Sequence, residues 1–446
     1  MKRPKVTFLG GVREIGGNKI IIEDGDDRIL FDFGQSFSDA FGDYYINWLN
    51  PRSTSPVKDL LEFDLLPREQ GLYAEELLQG TSLKYEPPRI HAFFLSHPHM
   101  DHASYVAYLD PKIPVHVGAV TDTLLGVMET TGSFGRGDAT RNVFQDGKKV
   151  KVGGLEVVPF PVDHSVPGAY GFIVHTSEGC IAYTGDFRQH GPRAPNTEAF
   201  LEAATKEEPL AFITEGTRMG PDRRKNFSEK AVRTETESVL KASKQLAVAT
   251  CYPRDVDRLT SLYQAARAAD REFIVPFKSA WLLSEMAAHK FPNVPIPGKS
   301  PGLHVYKRPK KTYYKWEQQF LDKALSAGEV SKRGKKALLL IDFAQFAELI
   351  DIRPPKGSPF IHSMSEPFSE DDLEDDVLRR WLEHFGMPHR QLHASGHCSG
   401  PELLAIAKRV NPKTLFPIHT EHPEDFKGDG RSVRLPEIGK SYELAG

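Results

Sequence analysis

Cysteine is scarce in this chain of 446 residues: there are three, Cys180, Cys251 and Cys398, far apart and without a CxxC pair. An odd, dispersed set argues against a disulfide framework and fits a reducing compartment. Charge of one sign is also lacking, with 57 Lys and Arg against 60 Asp and Glu. The whole-chain basic excess of many nucleic-acid binders is therefore missing, and any such contact has to be local. No apolar run approaches a membrane span, and the one following the basic opening "MKRPK" is too short for a signal-peptide core. No repeat of fixed period is visible, which argues against a solenoid. The expectation is a cytoplasmic protein with no membrane partner, long enough for two domains or for one domain with a large insertion.

What is there falls into zones. The N-terminal part reads as short strands and turns: "KVTFLG", then "KIIIE" and "RILFDFG" around the turn "DGDD", then "HAFFLS", "GLEVVPFPV", "GFIVHTSEGCIAYTGD" and "LAFIT". From about Ser238 strands alternate with helices. "QLAVATCY" precedes "DVDRLTSLYQAARAAD", with Asp255 as its cap, and "EFIVPF" precedes "SAWLLSEMAAHK". That alternation predicts a parallel α/β unit. Beyond the acidic "EPFSEDDLEDD" come two more helix–strand pairs. Residues 38–85 are irregular and rich in aromatics, Pro and Leu, an insertion expected to be a lid, an oligomer contact or a surface excursion.

The strongest chemical signal is "SHPHMDH", with His97, His99, Asp101 and His102 after a buried strand and before an expected helix, "ASYVAYL". Imidazole and carboxylate suit zinc or manganese. Four such groups in six residues exceed what one ion takes from a loop, so two ions are expected to share it. Further ligands would come from turns after other apolar strands: His164 in "PVDHS", Asp186 in "AYTGDFR" and His419 in "LFPIHTE". Taken singly each of these is an ordinary residue; they gain weight only beside the cluster.

In this order, "HPHMDH", "VDHS" and "YTGDF" resemble the metallo-β-lactamase superfamily. "FLGGVREIGGNKIII", "TEGT", "HASGH" and "PIHTE" narrow the resemblance to the β-CASP nucleases of the ribonuclease J kind. The resemblance covers most of residues 1–37 and 86–446. It implies an αββα sandwich with an inserted β-CASP α/β domain: residues 1–222 and 366–446 form the sandwich, 223–365 the insert. It assigns His97, His99 and His164 to one zinc, Asp101, His102 and His419 to a second, and Asp186 to both. Two Zn2+ are the expected cofactors, with Mn2+ suited to the same ligands. Asp32 in "LFDFG" would orient a ligand. Glu215 and His397 are the candidates for proton transfer, beside Asp101 and Asp186 in the catalytic set. The activity implied is hydrolysis of RNA, most simply 5′→3′ from a 5′-monophosphate end with endonuclease action besides, and a homodimer is a further family expectation. The departures are Ser96 and Pro98 in the histidine loop, Thr420 in "PIHTE", Glu215 where bacterial relatives carry Asp, the long 38–85 insertion, and an end soon after His419 that leaves out the extra C-terminal domain of many bacterial members.

"LHASGHCSG" (392–400) offers a competing reading, since "GHCSG" mimics a nucleophile elbow with Cys398 at its tip. A chain already holding a full metal-ligand set does not need that nucleophile. The stretch is read as an anion cradle instead: His393, Ser395 and His397 would bind substrate phosphate next to a helix starting at Gly400-Pro401. For RNA itself the physical basis is "YKRPKKTYYKW" (306–316), which interleaves Lys307, Arg308, Lys310, Lys311 and Lys315 with Tyr306, Tyr313, Tyr314 and Trp316, supplemented by "SKRGKK" and "DRRK". The alternatives are a thioesterase or lactonase of the same superfamily, a DNA-directed β-CASP nuclease, and a catalytically silent nucleic-acid-binding relative.

Overall fold

The computed structural model describes residues 3–37, 39–46, 48–135, 137–221, 227–366, 372–428 and 432–445. Two mixed sheets lie face to face. The first runs, in spatial order, Ser441–Glu443, Lys5–Gly10, Lys19–Asp24, Asp27–Phe31, Ala92–Phe94, Val115–Gly118 and Arg141–Phe144. The second runs Thr414–Ile418, Ala211–Glu215, Gly179–Tyr183, Ala169–Thr176, Leu155–Val162 and Val150–Val152. Alternation along the strands sends one set of side chains inward. Phe8, Phe31, Phe94, Phe172, Tyr183, Ile213 and Phe416 fill the space between the sheets, with the rings of Phe31 and Phe172 5.0 Å apart.

Helices cover the outer faces. Ala194–Lys206 and Gly400–Val410 bring Phe200, Leu201, Leu403 and Ile406 onto the second sheet. Pro56–Glu62 and Ala119–Thr130 bring Val57, Leu60, Leu61 and Leu125 onto the first. This is an αββα sandwich. The 38–85 segment is thus more than a surface excursion, because Val57, Leu60, Leu61, Leu66, Leu72 and Tyr73 are buried in the outer layer.

The third sheet is wholly parallel, in the order Leu303–Tyr306, Glu272–Pro276, Ala337–Leu340, Ala247–Cys251, Phe360–Ser363 and His389–Gln391. Its central strands are continuous apolar runs, as burial on both faces requires. Glu229–Ala242, Val256–Ala268 and Phe277–Ala288 pack on one face, and Leu378 and Leu382 of Leu373–Phe385 on the other. His389–Gln391 falls in the 366–446 segment expected to complete the sandwich, yet it pairs with Phe360–Ser363, so the parallel sheet reaches past residue 365.

One expected helix differs. "ASYVAYL" yields a one-turn helix, Met100–Ala103, and a 3-10 turn, Val106–Tyr108. The Tyr105 N–H donates to the Phe33 carbonyl at 2.9 Å, which removes it from the helical ladder, and the Ser104 hydroxyl caps back onto the Met100 carbonyl.

Candidate metal centre

The ligand candidates stand just beyond strand ends. His97 follows Ala92–Phe94, His164 follows Leu155–Val162, Asp186 follows Gly179–Tyr183, and His419 follows Thr414–Ile418. Two neighbouring positions hold left-handed backbone in non-glycine residues, Asp32 (φ 55°) and His419 (φ 53°), a conformation that persists only where surroundings impose it. The crossing is tight: a Cβ on Gly34 would lie 1.8 Å from the Asp101 carbonyl oxygen.

Two groups form. In the first, His99 Nδ1 lies 3.1 Å from His97 Nε2 and 3.0 Å from His164 Nε2. His164 Nδ1–H donates to the Gly396 carbonyl at 2.6 Å, which leaves Nε2 as the lone-pair nitrogen facing the group. In the second, His419 Nε2 is 3.0 Å from Asp101 Oδ2, and His102 Nε2 is 3.1 Å from Asp186 Oδ2. Here the outer nitrogens are held by His102 Nδ1–H donating to Asp32 at 2.7 Å and by His419 Nδ1 against the Thr217 hydroxyl at 2.9 Å. Asp32 also accepts from the Ser96 N–H and hydroxyl and from Tyr183, so it orients ligands rather than serving as one.

Asp186 Oδ2 is where the groups meet. It lies 3.1 Å from His102, 3.5 Å from His419, 3.7 Å from His97, and 4.0 Å from both His164 and His397. In each of three overlapping sets, His97/His99/His164, Asp101/His102/Asp186/His419 and His164/Asp186/His397, the donor atoms lie within 4.8 Å of one another.

Protonation follows environment. Burial pushes His97 and His164 well below the usual imidazole value and His99 down to about 3, which keeps them neutral, the form that binds a cation. Burial also works against charge on His102 and His419. There Asp186 and Asp101 overcome it, raising His102 well above the usual value and His419 to about 9. Protons on that side occupy ground where a cation would sit. The residues fit a divalent metal on a separate ground: Asp101 Oδ1 and Asp186 Oδ1 are buried with no hydrogen-bond partner, costly in a dry site unless a cation takes them.

Glu215 ends its strand beneath His397. Its carboxylate accepts the Thr217 N–H at 3.0 Å and contacts His397 Nδ1 at 3.0 Å. His393, Ser395 and His397 line one cavity of about 610 Å³ together with His99, Asp101, Asp186 and His419. The cradle departs from expectation in one respect. The helix N-terminus at Gly400 is closed by its own capping box, with the Ser399 N–H and hydroxyl both donating to Glu402 at 2.7 Å, so it has a carboxylate where an anion was expected. Cys398 packs among Leu403, Phe187 and Met219, away from the cavity lining, and burial pushes its thiol well above the usual value. Cys398→Ser is therefore expected to keep kcat within about twofold of wild type, whereas His397→Ala lowers it about 10²-fold. Steady-state RNA hydrolysis decides, and the reverse pattern would reinstate the thiol as nucleophile.

Sequence reasoning missed the buried arginines behind the cradle. Arg188 donates to Asp163 at 3.1 Å and to the Ser395 carbonyl at 3.2 Å. Arg258 donates to Glu229 at 2.8 and 3.0 Å, to the Ser363 carbonyl at 2.8 Å and to the Ala394 carbonyl at 3.3 Å. No local pattern marks an arginine for burial. The 306–316 stretch is only partly available to a ligand. Tyr306 is buried against Glu348, Arg308 pairs with Glu348 at 3.2 Å, and Lys310 pairs with Glu317. Tyr314 is exposed and parallel to Trp316, and none of the stretch lines the cavity. Of "SKRGKK", Arg333 is tied to Glu272 at 2.7 Å; "DRRK" lies outside the described residues. Among the described residues no helix is long and apolar enough to cross a membrane.

Two family models match the chain: a beta-lactamase superfamily domain over residues 59–252 and a Zn-dependent metallo-hydrolase RNA specificity domain over 389–425. Curated relatives include Ribonuclease J of Mycoplasma genitalium, 23% identical over 94% of this chain and 68% of its own length. Ribonuclease J2 of Bacillus subtilis is 23% identical over 94% and 69%, and Ribonuclease J of Thermus thermophilus 24% over 99% and 74%. The chain thus spans roughly 70% of their lengths. A solved structure of a protein of unknown function from Enterococcus faecalis V583 superposes with a TM-score of 0.81 at 26% identity, over 99% of this chain and 100% of that one. With this histidine–aspartate centre in an αββα sandwich, the chain carries a beta-lactamase superfamily domain and is a metal-dependent hydrolase similar to the ribonucleases J.

Proposed function

We propose that this chain is a metal-dependent ribonuclease that hydrolyses single-stranded RNA from a 5′-monophosphate end in the 5′→3′ direction, with endonuclease action as a second mode. The observation that carries the reading is one cavity lined by both the Asp186-centred cluster and the 393–397 loop. His97, His99 and His164 would hold one cation, Asp101, His102 and His419 another, and Asp186 both; the donor set suits zinc and also manganese. When bound, two such cations acidify a water and neutralise charge on a phosphodiester. The protein's own groups do the rest. His393 and Ser395 position the terminal phosphate. His397, its Nδ1 against Glu215, lines the cavity, and its imidazole would pass a proton to the departing oxygen. Asp32 and Thr217 fix the ring planes of His102 and His419.

On this reading the parallel sheet is the β-CASP unit, residues 1–222 and most of 366–446 form the catalytic sandwich, and the working form is a cytoplasmic homodimer. The test is a comparison of 5′-monophosphate, 5′-triphosphate and 5′-hydroxyl RNA of one sequence, alongside matched DNA and a thioester panel. Mononucleotides released from the monophosphate RNA at least tenfold faster than from the other ends are expected. Faster turnover of DNA or of a thioester would replace the RNA reading.

A further inference from the structure

The cavity holds a cation that neither the metal centre nor the cradle accounts for. Arg254 follows the central strand of the parallel sheet, Ala247–Cys251, and immediately precedes Asp255, the cap of Val256–Ala268. The carboxyl ends of parallel strands are where open α/β sheets bind ligands. Its neighbours are engaged: Asp255 accepts from the Arg258 N–H at 2.9 Å, and the Tyr252 hydroxyl bonds Ser365 at 2.6 Å. Arg254 lines the cavity with His99, Asp101 and His393; its carbonyl accepts the Val256 N–H at 3.0 Å, but among the described residues its guanidinium has no hydrogen bond or ion pair. Burial lowers its guanidinium below the usual value with only Asp101 opposing, and its charge is felt at His99. Arg254 is half-buried, so a guanidinium with five donors and no protein acceptor is left open to an anion entering the cavity.

We infer that Arg254 is a substrate-binding residue that clamps an RNA phosphate in this cavity, through two parallel N–H donors to non-bridging oxygens. The planar fork of arginine matches such oxygens where a lysine offers a point charge. The arrangement supplies the anion contact that the self-capped helix at Gly400 does not. The inference deepens the ribonuclease reading and rests on it for the identity of the anion.

The test uses the full chain loaded with metal, titrated calorimetrically with adenosine 5′-monophosphate and with adenosine, alongside RNA kinetics, metal content and thermal melting. Arg254→Gln is expected to weaken the nucleotide at least tenfold, to leave adenosine unaffected and to lower kcat/KM on 5′-monophosphate RNA about 10²-fold. Metal content stays at the wild-type level, and the melting temperature is equal or higher, since an unpaired charge has been removed. Arg254→Lys falls between. Wild-type nucleotide affinity and kcat/KM in Arg254→Gln overturn the inference, as does a loss explained by lost metal or unfolding. A wild-type chain that does not cut RNA but binds the nucleotide through Arg254 sinks the ribonuclease reading and leaves this inference standing.

Discussion

Asp186→Ala is expected to come off purification without its divalent metal and to hydrolyse RNA at least about 10³-fold more slowly than wild type, a barrier raised by about 4 kcal/mol. No other carboxylate in the centre touches so many groups: one oxygen, Oδ2, faces five imidazoles within 4.0 Å. Removing it takes a shared donor from both halves at once. It also removes the main counter-charge that holds His102 and His419 protonated against burial. Without it those rings shift toward neutral, and the remaining donors no longer converge on a common point. Elemental analysis and single-turnover cleavage measure the two effects separately. Wild-type metal stoichiometry in Asp186→Ala would falsify the role of this oxygen as the common ligand.

The second large effect is on stability. Arg258→Met is expected to destabilise the fold by about 3–5 kcal/mol, because the buried Glu229 then loses both hydrogen bonds to its main counter-charge and keeps only the more distant Arg188, 4.0 Å away. Both residues are buried, and the pair is joined by two hydrogen bonds of 2.8 and 3.0 Å. Burial alone would raise the Glu229 carboxyl; Arg258, helped by Arg188 and Ser261, more than offsets this and brings it to about 2. That depressed value contributes stability fully present above the ordinary glutamate range and lost as pH falls through it toward 2, a dependence the variant should largely lose. Chemical denaturation across pH reads this directly. If Arg258→Met is too unstable to purify, the double variant Arg258→Met/Glu229→Met keeps the test alive. Replacing both partners with apolar groups should recover much of the loss, whereas a double variant as unstable as the single one would remove the pair as the cause. Cleavage should fall in the single variant even where it stays folded, because Arg258 also holds the Ala394 carbonyl of the cradle loop.

The two kinds of residue differ in how far they could be read in advance. His97, His99, Asp101 and His102 share one short loop, so their ligand character is written in local spacing, and the continuous apolar strands of the parallel sheet are equally local. Arg188, Arg254 and Arg258 carry no such mark. The roles of Arg188 and Arg258 depend on which carbonyls and carboxylates the fold brings within reach, that of Arg254 on the cavity it lines, and arginine is by habit a surface residue. The 38–85 segment was obscure for a related reason: its leucines lack a sustained helical period, yet they pack on the first sheet one short helix and loop at a time. Tyr306 shows the converse error, an aromatic among lysines that turned out to be core, its hydroxyl held by Glu348.

The pairing of Lys5–Gly10 with Ser441–Glu443 has a consequence for how the molecule is made. Lys5–Gly10 pairs locally with Lys19–Asp24, but its other edge waits for a partner more than four hundred residues downstream, and His419 arrives nearly as late. Contacts of such separation form last and slowly, after the loop-closure entropy of the whole intervening chain has been overcome. The parallel sheet, built from residues 247–391, has no such wait and can assemble while synthesis continues. The surface proposed to hold RNA would then mature before the centre proposed to cut it, so that a nascent chain, still tethered to its own message, carries an incomplete blade.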